Sequence, residues 1–125
     1  MTFNGSTWTA PDIIDPTYHL WSVSCPSRTF CAAVDTSSKI FTFNGTTWTE
    51  GQPTPTGGKG LEAVSCPDSA TCMANGFNAE VFTYTSAKWT VSAHTKQGDQ
   101  LTGLSCPVTN YCVTVSSKGY ALTGT

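Results

Sequence analysis

Ser24-Cys25-Pro26-Ser27-Arg28-Thr29-Phe30-Cys31 returns as Ser65-Cys66-Pro67-Asp68-Ser69-Ala70-Thr71-Cys72, and again as Ser105-Cys106-Pro107-Val108-Thr109-Asn110-Tyr111-Cys112. The period is about 40 residues, the size of a supersecondary unit that buries its apolar face only against a neighbouring copy. A second phrase lies between the copies. Thr42-Phe43-Asn44-Gly45-Thr46-Thr47-Trp48 has a near twin in Thr2-Phe3-Asn4-Gly5-Ser6-Thr7-Trp8. Repetition, rather than any one residue, therefore sets the architecture.

Each repeat reads as four short strands. In the first, Leu20–Ser24 alternates and enters the Cys motif, Phe30–Val34 leaves it, and Ile40–Phe43 and Thr47–Thr49 follow. Asn44-Gly45 between the last two marks a hairpin, read as a type I′ turn with both central residues at positive φ. The second repeat runs Leu61–Ser65, Thr71–Ala74, Val81–Tyr84 and Lys88–Thr90, with Thr85-Ser86 as a weaker turn signal. The third runs Leu101–Ser105, Tyr111–Val115 and Gly119–Leu122. Helical periodicity is absent. The fold class is all-β, a single repeat domain over 1–125. Its units lie at about 20–50, about 61–91 and about 101–125, the last completed by a strand over 6–10 from an N-terminus.

All six Cys fall in the repeated motif, and their even number and fixed spacing indicate three local disulfides, 25–31, 66–72 and 106–112. That implies an oxidising, extracellular compartment. Met1 runs directly into Thr-Phe-Asn-Gly, without the charged and apolar stretches of a signal peptide. Neither His19 nor His94 recurs with the Cys pairs, so no metal site is expected. The formal net charge is -2, which supplies no electrostatic reason to bind nucleic acid or an anionic membrane. No apolar run approaches the length of a membrane span.

Three four-stranded repeats admit a β-trefoil or a β-propeller. Propeller rings typically need four to eight blades, so a three-bladed chain would pair with a copy of itself to close a six-bladed ring as a homodimer. The Ser-Cys-Pro-x4-Cys unit followed by Asn-Gly-(Ser/Thr)-Thr-Trp-Thr resembles the tandem repeats of secreted actinobacterial β-propeller proteins, and Ile14-Asp15-Pro16 ahead of Leu20-Trp21-Ser22-Val23-Ser24-Cys25 fits that pattern. The hairpin at Asn44-Gly45 is similar to a shortened Asp-box, one residue short between Asn and Gly. The resemblance implies a propeller, with the hairpin as a structural element far from any active site.

Alternation places the Cys motifs and the Asn-Gly turns on one rim. The loops that differ between repeats, 10–19, 50–60 and 92–100, lie on the other, where a rigid scaffold would present binding residues. The candidate ligand-binding residues are Asp15, Tyr18, His19, Trp21, Glu62, His94 and Asp99. No catalytic residues are assigned. The single arginine, Arg28, sits in a Cys turn, and no nucleophile elbow or His-Glu-x-x-His motif occurs. An aromatic platform with short polar neighbours suits a carbohydrate or another small polar ligand. Trp8, Trp48 and Trp89 recur once per repeat and are expected to pack between units. Trp21, replaced by Glu62 and Thr102 elsewhere, is expected to be exposed. The expected function is non-catalytic, lectin-like binding without a cofactor, the alternative being a scaffold or protein-interaction ring with no small-molecule site.

Overall fold

The computed structural model describes residues 1–55, 59–94 and 100–124. Three antiparallel meanders follow one another. Blade 1 holds β1 (Leu20–Ser27), β2 (Phe30–Asp35), β3 (Lys39–Phe43) and β4 (Trp48–Pro53). Blade 2 holds β5 (Leu61–Ser65), β6 (Thr71–Gly76), β7 (Glu80–Thr85) and β8 (Lys88–His94). Blade 3 holds β9 (Leu101–Val108), β10 (Tyr111–Ser116) and β11 (Ala121–Gly124). Each sheet pairs only neighbours in sequence. A β-trefoil would instead merge hairpins from different repeats into one barrel. The first strands of successive blades pack on each other, β1 on β5 and β5 on β9. This is the β-propeller architecture.

Local chemistry explains the turns. Cys25–Cys31, Cys66–Cys72 and Cys106–Cys112 each close the turn between a blade's first two strands. Asp68 reinforces one of these turns, its Oδ1 accepting the backbone N–H groups of Ala70 and Thr71 at 2.8 Å. The turn at Asn44-Gly45 differs from the expected type I′. Only Gly45 has positive φ, at 97°. The Asn44 side chain instead accepts the N–H groups of Thr46 and Thr47 at 2.9 and 2.8 Å. Asn4 does the same for Ser6 and Thr7. The double positive-φ turn occurs where the sequence signal was weak, at Ser86 (52°) and Ala87 (61°).

The core lies in the seam between blades 1 and 2. Ala32, Val34 and Ile40 from blade 1 meet Leu61, Val64, Ala74 and Phe82 from blade 2. Full burial of side chains of this size stabilises by roughly 1.5–3 kcal/mol each. Polar groups cross the seams too. The Ser22 and Ser24 hydroxyls of blade 1 accept the backbone N–H groups of Val64 and Cys66 in blade 2, at 3.2 and 3.0 Å. Ser65 accepts from Cys106 of blade 3 at 2.9 Å. Asn75, fully buried, donates from Nδ2 to Gly103 O and Thr114 Oγ1 across the next seam.

The N-terminal stretch forms a separate small hairpin. Phe3 pairs with Trp8, and Thr9 N–H donates to Thr2 O at 2.8 Å. It does not pair with β11 of its own chain.

Candidate functional site

The rim that carries the variable loops is organised by carboxylates. Asp35, at the end of β2, is fully buried. Its Oδ1 accepts the N–H groups of Ser37 and Lys39, and its Oδ2 accepts the Ser37 hydroxyl at 2.7 Å. These bonds shape the turn that puts Ser38 at φ 74°. Ser38 then accepts the Gly60 N–H through its hydroxyl and the Thr54 N–H through its carbonyl, both at 2.9 Å, which ties down the chain passing to blade 2. Lys39 pairs with Glu50 on the neighbouring strand.

Asp15 caps the loop ahead of β1, its Oδ1 accepting the N–H groups of Thr17 and Tyr18 at 2.9 and 3.0 Å. Burial pushes its carboxyl pKa up. The Thr17 and Tyr18 N–H groups, with the neighbouring Asp35 and Lys39 side chains, outweigh that and hold it below the usual carboxylate value. A carboxyl depressed in the fold contributes stability above its unfolded pKa, and that contribution is lost as pH falls through the folded value. Asp15→Asn is therefore expected to flatten part of the acid limb below about pH 4. Because the group is partly solvated, the effect is roughly a few tenths of a kcal/mol. Urea titrations at stepped pH check this; an unchanged acid limb refutes it.

The structure distributes the candidate residues. Tyr18 and Trp21 are exposed aromatics at the start of blade 1. His19 is exposed, and its carbonyl accepts the Thr36 N–H at 3.1 Å. Glu62, at the Trp21 position of blade 2, is half-buried and accepts a hydrogen bond from Gln100 Nε2. The backbone of His94 ends β8, and Asp99 lies outside the described residues. Asp15 thus shapes the loop ahead of β1, and Glu62, on β5, meets Gln100 just ahead of β9. Among the described residues, no group of three His, Cys, Asp or Glu side chains is arranged to hold a metal ion.

Two larger hollows lie between units. One, of about 620 Å³, separates the N-terminal hairpin (Met1, Thr2, Thr9) from Trp21, Val23 and Trp48 of blade 1. The other, of about 280 Å³, lies between blades 2 and 3 and is lined by Val81, Ala93, Leu104, Tyr111, Leu122 and Gly124, among others. The recurrent tryptophans differ in their surroundings. Trp89 packs against Tyr84 with the rings tilted by 58° and reaches across the first seam, donating Nε1–H to Gln52 O at 2.8 Å. Trp48 is half-buried against Phe43, and Trp8 is 63% exposed.

Sequence reading did not single out Asp35, Ser38 or Asn75. Asn75 had a usable signal. It breaks an apolar row, occupying the place that Val34 and Val115 hold in the other repeats.

No protein-family model matches the chain, and no curated protein matches it. Solved structures do. One described as a streptogramin B lyase superimposes with a TM-score of 0.63 at 12% sequence identity, over 88% of this chain and 41% of that one. At that identity the likeness concerns the fold. The chain thus spans less than half the length of that structure and shares its propeller-like arrangement of sheets.

Proposed function

We propose that the chain is a non-catalytic module of a secreted propeller that binds glycans or another small polar ligand at the variable-loop rim. The observation that carries this is Trp21. It stands 54% exposed, and Tyr18, three residues earlier in the chain, is also exposed. Its counterparts also remain reachable where a preceding blade is in place: Glu62 is half-buried and Thr102 exposed. An aromatic face held there on a rigid strand, with hydroxyl- and carboxylate-bearing loops nearby, offers the apolar wall and few orienting polar groups that such ligands need. Three disulfides support the extracellular assignment.

Labelled protein screened on a broad glycan array, followed by calorimetric titration, tests the reading. Trp21→Ala should weaken any saturable binding at least tenfold, about 1.4 kcal/mol, with the circular dichroism spectrum unchanged. Silence across chemically diverse sugars would sink the glycan assignment. A second reading, a protein-interaction or scaffold ring without a small-molecule site, is favoured by one observation. One oxygen of the Asp15 carboxylate is held by its own loop, and the Glu62 carboxylate by Gln100, just ahead of β9.

A further inference from the structure

The first and last blades expose surfaces that the middle blade buries. Leu20 is 41% exposed, whereas its counterparts Leu61 and Leu101 are at 1% and 0%. Val23 is 60% exposed and its counterpart Val64 is at 5%. On the opposite side of the chain, Val115 is 43% exposed, while Val34 and Asn75 at the same position are fully buried. Blade 1 therefore presents an unfilled incoming face and blade 3 an unfilled outgoing face, and each has the composition of its counterpart in a formed seam.

The polar register matches as well. Ser24 accepts from Cys66 N–H and Ser65 accepts from Cys106 N–H. Ser105 holds that place on blade 3 and is exposed. The backbone N–H that would continue the series belongs to Cys25. A third correspondence concerns the hollows. Across the first seam, Tyr84 and Trp89 of blade 2 reach toward Gly51 and Gln52 of blade 1. In the next seam the matching residues are Ser92 and Ala93, facing Gly124 in the Tyr84 position, and the 280 Å³ hollow lies there with no tryptophan. The N-terminal hairpin carries an unused aromatic pair of the same type, Phe3 and Trp8, with ring centroids 5.3 Å apart against 5.0 Å for Tyr84 and Trp89. It stands off blade 1 across the 620 Å³ groove, on the side where a preceding blade would lie.

We propose that the occupant of both faces is a second copy of this chain. The partner's β9, β10 and β11 pack on the exposed face of blade 1 at Leu20 and Val23, and the hairpin swings outward to make room. The hairpin opens there: Thr9 gives up its bonds to Thr2, the strand through Trp8 and Thr9 pairs with the partner's β11 in that place, and Trp8 fills the hollow beside the partner's blade 3. Ser105 takes up the partner's Cys25 N–H. The same exchange in the opposite direction closes a two-fold ring, so every open face finds its complement and none is left to propagate a filament.

Light scattering and sedimentation velocity over a dilution series of the 125-residue chain test this. The expected species is a dimer of the 13.2 kDa chain. Val23→Asp and Val115→Asp alter side chains already open to solvent in the single chain, so each should leave the circular dichroism unchanged and weaken dimerisation at least tenfold. Trp8→Ala should act in the same direction. In blade 1, Thr42 pairs with Thr49, and the corresponding pair across the proposed junction is Thr123 with Thr9. Mixing Thr9→Cys chains with Thr123→Cys chains under mild oxidation should therefore give a covalent dimer that neither variant forms alone. A monomer at every concentration, an open series of larger species, or a Thr9→Cys/Thr123→Cys double variant that links only within one chain would each overturn the proposal.

Discussion

Full reduction of the three disulfides is expected to remove about 6 kcal/mol of folding free energy. Each bridge closes a loop with a sequence separation of 6, for which chain-entropy reasoning gives about 2 kcal/mol. The bridges belong to different sheets, so their contributions should add. Native domains hold only about 5–15 kcal/mol in total. A chain at the low end of that range would, once reduced, sit near its unfolding midpoint at room temperature. Urea unfolding with and without reductant, followed by fluorescence of the tryptophans, measures the difference. A loss below about 2 kcal/mol would show that sheet packing, rather than cross-linking, holds the blades. The bridges should also differ in access, because Cys25 is exposed whereas Cys72 is fully buried. In the single chain Cys25–Cys31 should be reduced first, and assembly into the ring should remove that difference; peptide mapping after brief reduction and alkylation of each species would reveal it.

Gly76→Ala is the second large effect. A Cβ at Gly76 would sit 2.1 Å from the Gly60 carbonyl oxygen and 3.1 Å from Leu61 Cα. Both neighbours are backbone, so no side-chain rotation relieves the clash. The start of β5 would have to move. That would disturb the Phe77 N–H to Gly60 O bond and the packing of Leu61, which is 1% exposed. Overpacking of this kind is expected to cost about 4 kcal/mol, at the severe end for a single substitution. For a domain of this length that lowers the melting temperature by roughly 15 °C. Gly124→Ala serves as the control. Its new Cβ would meet nothing nearer than the Cys112 carbonyl oxygen at 4.0 Å, and the midpoint should move by about a degree or less. Equal shifts in the two variants would refute the steric argument.

The propeller was legible because its signals are local and repeated. Cysteine spacing marked the first turn of each blade, and β-branched and aromatic alternation marked the strands. Strand ends were less so. β4 continues to Pro53 rather than stopping at Thr49, because Lys39 still pairs with Pro53 across the sheet, and a cross-strand partner is not visible in a local window. The turn chemistry at Asn44 was misassigned for a related reason. An Asn-Gly pair fits a type I′ turn, but the Asn44 carbonyl group can also cap two N–H groups, and here it does. The Ser86-Ala87 turn runs the other way: pairing on both flanks, from Thr71–Thr85 to Tyr84–Trp89, holds two residues in a conformation they seldom choose alone. Of the rim, the sequence revealed which loops vary but not which side chains meet. Ser38 acts through backbone groups far along the chain, and Asn75 acts across a seam, relations that only the folded arrangement creates.

The serine-to-amide stitches at the seams have an evolutionary consequence. Each needs a single hydroxyl from one unit and a main-chain group from the next, and every amino acid except proline supplies that group. A newly duplicated unit would thus arrive already able to make these stitches, provided it keeps the serine and the apolar residues of its seam faces. Lineages carrying such a module could lengthen, shorten or recombine it by whole units while the loops drift toward new tasks.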